Sequence, residues 1–437
     1  MTVSRPNILY VHSHDTGRYI QPYGHAVPTP NLQRLAEEGV MFRQAFTSSP
    51  TCSPSRACLL TGEYPHSNGM LGLAHRGFAL NDYSKHMLHT LRPHGYHSLL
   101  SGIQHIAHGQ TPWKTIGYDV HLGEAAEAEI NAAEFLRGKP ADPFFLSVGL
   151  FETHREFPEA TPAQDTRYCL PPAPLPDTPE TRLDMARFKR SAEILDTKVG
   201  IVLQALEDSG LAENTLVICT TDHGIAFPRM KCNLEDSGTG VMLLMRGPGG
   251  FSGGKVIDAM VGQIDIFPTL CEYLEIEAPS RLQGVSFLPL VNGQCDCVRD
   301  DLLLEINYHA AYEPMRGLRT ERYKYIRRYD PRHAPVLPNC DASPSKDCWL
   351  DKGWKNMAPV EEALYDLVFD PNESNNLAQS PDHQQILLEM RSRLAEVMKA
   401  TGDFLPASDV PLPSTALLNP RDGIDPDQKA IMSSGTR

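Results

Sequence analysis

Apolar residues in this chain come in short unbroken runs that stop abruptly at polar clusters. Ile8-Leu9-Tyr10-Val11, Ser98-Leu99-Leu100, Phe144-Phe145-Leu146-Ser147-Val148 and Leu216-Val217-Ile218-Cys219 are the clearest, with Val241-Met242-Leu243-Leu244-Met245 a further one. Runs of this length with no polar alternation predict strands buried on both faces, as in a parallel sheet. Helical spacing fills the gaps. Over Thr29–Gly39, Leu32, Leu35 and Ala36 form one face, with Thr29 and Pro30 as the start and Gly39 as the stop. Asp184–Gly210 carries Ile194, Leu195, Val199, Val202, Leu203 and Leu206 at helical intervals and predicts a long crossover helix. Strand and helix in alternation predict an α/β fold with a large, mostly parallel central sheet flanked by helices.

Near residue 295 the pattern changes. Leu302–Ile306, Met315–Arg319 and Tyr323–Ile326 alternate and are joined by short turns, which predicts a small antiparallel sheet. A helix over about Pro381–Ala400 is expected to pack on it, and the Pro- and Ser-rich residues beyond Thr401 predict an extended arm across the surface or a partner subunit. The expected organisation is a catalytic α/β domain over 1–295, a smaller α+β unit over 296–401 and the arm over 402–437.

Composition narrows the function. The 437 residues carry a net charge of −14, which argues against nucleic acid as a partner and leaves any anionic substrate to be drawn by local cations. No apolar run approaches the ~20 residues of a membrane span, so no membrane partner is expected. Met1–Pro6 leads straight into a strand with no apolar secretory region, so the expected location is the cytoplasm. The ten cysteines are then expected to stay reduced, and neither Cys295/Cys297 nor Cys340/Cys348 has histidines at zinc-site spacing.

Chemistry concentrates where the strands end. His12-Ser13-His14-Asp15 follows the first run, His105 the second, His154 the third and Asp222-His223 the fourth. In open α/β sheets this carboxyl edge is where ligands bind. His14 and Asp15 form a candidate metal half-site. His12 is an alternative to His14, because strand alternation points both the same way.

The remaining cluster is Cys52-Ser53-Pro54-Ser55-Arg56-Ala57-Cys58-Leu59-Leu60-Thr61-Gly62. Pro54 and the run after it predict a short helix ending at Gly62, which puts Cys52 at a helix N-terminus with Arg56 one turn on. An isolated Cys-x-Pro is most often a buried cysteine at a helix start. The complete string Cys-x-Pro-Ser-Arg-x-x-x-Leu-Thr-Gly, however, resembles the signature of the type I, formylglycine-dependent sulfatases of the alkaline phosphatase superfamily. Thr-Pro-Asn-Leu at 29–32, the Asp-x-x-Pro-Thr segment at 265–269 and the 362–377 stretch resemble the same family. The His66–Leu73 loop resembles that of N-sulfoglucosamine sulfohydrolases.

The resemblance implies that Cys52 is oxidised by a formylglycine-generating enzyme. It implies one divalent ion on His14, Asp15, Cys52, Asp222 and His223, and a hydrated aldehyde at position 52 as nucleophile toward sulfur. It implies His154 or Lys231 as leaving-group acid, His105 as base, and Arg56 as a charge-balancing cation. Arg229 is the neighbouring alternative to Lys231. Two departures stand out: His14 occupies a position where the family has aspartate, and Ile103 one where it has lysine. Carboxylates suit calcium, whereas imidazoles move the preference to manganese or zinc. The expected substrate is a small sulfate ester or sulfamate of a glucosamine-type sugar, with aryl sulfates as surrogates, and a homo-oligomer is possible. The competing readings are a phosphonate-monoester or phosphodiester hydrolase, suggested by Asp222-His223, and a non-catalytic anion-binding homologue, suggested only by Ile103.

Overall fold

The computed structural model describes residues 5–141, 143–405, 408–427 and 431–432. Among the described residues twelve strands make the two main sheets, beside a two-residue pairing of Leu417–Leu418 with Ile431–Met432: β1 (Asn7–His12), β2 (Val40–Phe46), β3 (His97–Gly102), β4 (Val120–Gly123), β5 (Phe144–Gly149), β6 (Thr215–Thr220), β7 (Leu243–Arg246) and β8 (Lys255–Gly262) form the larger, in the order β4-β3-β5-β1-β6-β7-β2-β8. Only β7 runs against its neighbours; every other pairing is parallel.

Side chains alternate across the sheet and build a core on each face. Ile8 and Tyr10 of β1 join the cluster under helix α2 (Cys52–Thr61), with Ala57, Leu59 and Leu60. Leu9 and Val11 join the opposite cluster, against Leu195, Val199, Val202 and Leu203 of the Pro179–Asp208 helix. That helix starts at Pro179, five residues before the expected Asp184, because Thr178 caps it by accepting from Thr181 N and Pro179 supplies the first turn. Asp196 on the same helix accepts from Asn31 N and Leu32 N, at 3.1 and 2.9 Å, at the start of α1 (Pro30–Glu38).

The second sheet is antiparallel throughout, in the order β12-β11-β10-β9, from β9 (Asp301–Tyr308), β10 (Tyr312–Thr320), β11 (Tyr323–Arg328) and β12 (Glu362–Asp366). The Gln384–Thr401 helix covers it with Leu387, Met390, Leu394 and Met398. One continuous apolar cluster links this helix and sheet to the α2 face of the larger sheet. The described part of the arm lies on its own chain: Arg76 donates to Asn419 Oδ1 at 2.7 Å, and Thr415 Oγ1 donates to Gly77 O at 2.9 Å. All ten cysteines are free thiols, and no helix among the described residues is long and apolar enough to cross a membrane.

Candidate active site

β1 lies between β5 and β6, so the segments leaving these three strands meet at one edge of the sheet. β3 joins them from beyond β5. Its exit passes so close that a Cβ on Gly149, the last residue of β5, would stand 1.9 Å from Ile103 O. Asp15 and His105 both take left-handed backbone conformations just beyond their strands, with φ of 50° and 57°. Such conformations are uncommon for residues other than glycine and gather at functional sites.

α2 closes this edge from one side. Thr51 is its N-cap and Cys52 its first residue, so the positive end of the helix faces the strand exits. One ligand atom each from His14, Asp15, Cys52 and Asp222 lies within 4.8 Å of all the others, and all four residues are buried. His223 completes the group, with Nε2 at 3.2 Å from Asp15 Oδ1 and 3.4 Å from Cys52 Sγ. Its Nδ1 lies 3.0 Å from Gly224 O and donates to it, which turns Nε2 toward the cluster.

The chemistry of these donors fits a divalent cation. Two buried carboxylates face each other, and His14 Nδ1, His14 Nε2 and Asp15 Oδ1 have no hydrogen-bond partner among the described residues. Buried polar atoms without partners are rare, and here one His14 nitrogen and a carboxylate oxygen of Asp15 lie in the same four-residue group. Burial, reinforced by Arg56, His105 and His154, keeps the His14 pKa well below its usual value, so the ring is neutral and has a lone pair to give. Burial alone would raise the pKa of Asp222. His223, Arg56, the backbone N–H of Asp15 and Lys231 outweigh it and hold the carboxyl well below the usual range. The Cys52 thiol is pushed up by burial and by Asp15 and Asp222 against the pull of Lys231, so the unmodified side chain is a protonated, unreactive sulfur.

His12 is engaged elsewhere. Its Nδ1 accepts from Arg56 Nη1 at 2.5 Å, and its Nε2 donates to Ser147 Oγ at 3.2 Å. Arg56 also donates to Ser13 O at 2.8 Å and to Asp222 Oδ2 at 3.0 Å. The guanidinium therefore fastens α2 to the ends of β1 and β6, behind the cluster.

Lys231 and Arg229 part company. Lys231 Nζ lies 2.9 Å from Asp15 Oδ2, whereas Arg229 turns outward to Glu235 at 3.3 Å. His105 faces the same pocket: its ring centroid is 5.6 Å from that of His14, and its Nε2 is 3.1 Å from Nδ1 of the exposed His75. His154 stands edge-on to His14 with centroids 5.6 Å apart, and its Nδ1 donates to Arg155 O, leaving Nε2 for the pocket. Ile103 adds no charge. Sequence reasoning missed His75 in the single helical turn Ala74–Arg76, His309 just past the end of β9 in the smaller sheet, and Asp341 on the segment after β11; Asp341 Oδ2 is 3.0 Å from Lys231 Nζ.

Comparison with known proteins gives this arrangement a family. The family model described as Sulfatase matches residues 6–276, and that of the N-sulphoglucosamine sulphohydrolase C-terminal region matches 229–346. The chain is 29% identical to the N-sulphoglucosamine sulphohydrolase of Homo sapiens over 460 residues, covering 92% of this chain and 91% of that protein. It is 28% identical over 472 residues to an ulvan-active sulfatase of Formosa agariphila, covering 95% of this chain and 77% of that one. Among solved structures, a 2-O GAG sulfatase superposes with a TM-score of 0.71 at 20% identity, over 99% of this chain and 98% of that one. A protein solved with its substrate D-glucosamine-2-N,6-O-disulfate superposes with a TM-score of 0.69 at 19% identity, over 93% of this chain and all of the other.

Proposed function

Given that this chain belongs to the sulfatase family and is a sulfuric ester hydrolase, with a metal ion and formylglycine as the family-typical apparatus, we propose that it desulfates small glucosamine-type sugars carrying N- or O-sulfate. The observation that carries this reading is the position of Cys52, first residue of α2 and within 4.8 Å of His14, Asp15 and Asp222. His14, Asp15, Asp222 and His223 would hold the ion together with the side chain at position 52. When present, the ion supplies charge that polarises a sulfate oxygen, and oxidised residue 52 supplies the attacking oxygen. Two imidazoles in the donor set favour manganese or zinc over calcium.

The chain's own groups do the rest. Lys231 faces the sulfate position from beside Asp15 and, with the N-terminus of α2, offers it positive charge. His154 donates from Nδ1 to Arg155 O, so as an imidazolium it can give its Nε2 proton to the leaving oxygen or nitrogen and return to the neutral ring. His105 also packs against His14, with ring centroids 5.6 Å apart, where it can take the proton that must leave before sulfate departs. Arg56 keeps Asp222 ionised and the two strand ends in register. Maturation by a formylglycine-generating enzyme belongs to the same proposal, and self-association is compatible with it.

His223 in the donor set favours a second reading, a phosphonate-monoester or phosphodiester hydrolase. Protein made together with a formylglycine-generating enzyme separates the two. Mass spectrometry of the peptide containing Cys52 should show conversion, and sulfate should be released from N-sulfoglucosamine and 4-nitrophenyl sulfate. Cys52→Ala should cost at least ~10³-fold in rate. Converted protein that prefers phenyl phosphonate or a phosphodiester with the same leaving group would replace the sulfatase assignment of this site.

A further inference from the structure

Lys231 is held between two carboxylates, and only one of them belongs to the metal cluster. Its ammonium lies 2.9 Å from Asp15 Oδ2 and 3.0 Å from Asp341 Oδ2. Asp341 reaches the pocket from the opposite side, on the segment between β11 and the Pro344–Asp351 helix. That segment is built onto the turn between β9 and β10. Asn339 Oδ1 accepts from Ala311 N at 2.8 Å, Asn339 Nδ2 donates to Glu313 Oε2 at 2.9 Å, and Lys346 Nζ donates to Cys340 O at 2.6 Å. The same turn carries His309, which is 5% exposed and whose Nδ1 has no hydrogen-bond partner among the described residues.

Two polar groups thus stand near Lys231 without serving the metal cluster: Asp341 in direct contact with it and the buried His309 within its electrostatic reach. The Asp341 side chain, 14% exposed, has no described partner besides Lys231. Burial would raise its pKa, but Lys231, His309 and His154 outweigh that and keep it ionised, so it only accepts hydrogen bonds. Burial and Lys231 keep His309 neutral, with one donor and one acceptor nitrogen. A carboxylate this close to a sulfate position repels the sulfate. It can favour binding only by meeting a donor on another part of the substrate.

We propose that Asp341 and His309 are the specificity-determining pair of this enzyme, reading hydroxyl or amine donors on the sugar that bears the sulfate. The pair selects a sulfated amino sugar over an aryl sulfate, which has no donors to offer, and over a sugar with a second anionic group at that position. A site built to hydrogen-bond a substrate discriminates strongly against analogues lacking the partner, because its own polar groups are then left unpaired. This inference rests on the sulfatase reading.

The test uses N-sulfoglucosamine and 4-nitrophenyl sulfate with the converted enzyme and its Asp341→Asn and His309→Ala variants. The ratio of the two kcat/KM values, sugar over aryl, should fall by about 30-fold in each variant. Equal losses on both substrates, or an unchanged ratio, would overturn the proposal and leave Asp341 as a support for Lys231. A second measurement needs no turnover: calorimetric binding of N-sulfoglucosamine to Cys52→Ala protein, where adding Asp341→Asn or His309→Ala should weaken Kd at least ~10-fold. Unchanged affinity, or no binding by Cys52→Ala itself, overturns it as well. If the converted enzyme cleaves neither sulfate while the binding difference holds, the sulfatase reading fails and the recognition pair stands.

Discussion

Arg56 Nη2 lies 3.0 Å from Asp222 Oδ2, and neither side chain is more than 2% exposed. The pair joins the nucleophile helix to the end of β6, and removing one partner strands the other. Arg56→Ala should therefore destabilise the fold by about 3–5 kcal/mol, read from denaturant unfolding. Arg56→Lys keeps the charge but not the fork that also holds His12 and Ser13, so it should fall between the two. An unfolding midpoint unmoved by Arg56→Ala would contradict this account of the clamp.

Metal dependence should follow the division between the two histidines of β1 and its exit. Chelation should abolish sulfatase activity and lower Tm, and an ion at 100 times its Kd should return about 2.7 kcal/mol of stability. His14→Ala should weaken metal affinity by at least ~10-fold in equilibrium dialysis. His12→Ala acts through Arg56 and should cost stability before affinity. The reverse order would make His12 the ligand.

Gly62 ends α2 in the left-handed region, at φ 69°, with its N–H on Cys58 O. A Cβ there would stand 2.6 Å from Leu282 Cδ2. Gly62→Ala should destabilise by more than about 1 kcal/mol in thermal or chemical unfolding, with the loss arising from backbone strain added to this close contact. A neutral result would mean that α2 can end in another conformation.

Glu373 is a buried carboxyl whose pKa is raised by burial and by Asp236 and Glu235, against Lys324, from 4.5 to about 8. Because the folded value lies above the unfolded one, its contribution to stability is fully present below about pH 4.5 and lost as pH rises toward 8. Glu373→Gln carries no charge to titrate and can still accept from Asp236 N. Its Tm relative to the parent should therefore climb between pH 5 and 8. Parallel Tm profiles for the two proteins would show that Glu373 does not titrate in this range.

Much of the site could be read from the chain because apolar runs stop where chemistry starts. Val11 gives way to His12–Asp15 and Cys219 to Asp222-His223, and the sheet order then sets those exits side by side. The edge strands were harder to read. β4 is only half-buried and the first half of β8 is largely exposed, so neither shows the unbroken apolar run of a central strand. Asp341 left no trace, and His309 follows β9 of the smaller sheet, where no site was expected. Their meeting depends on Asn339 bonding Ala311 across 28 positions, a tertiary fact that no local pattern encodes. The choice between His12 and His14 had the same character, since it turns on which ring Arg56 engages.

Cys52 is 1% exposed, at the foot of a helix packed beneath strands, loops and a second sheet. If a separate enzyme oxidises Cys52 as proposed, it could not grip that thiol in the finished molecule and would have to act on the nascent or still-open chain. The timing of biosynthesis then decides whether a given copy ever becomes active. On that reading, protein that folded with the sulfur intact would stay unconverted when the maturing enzyme is supplied afterwards.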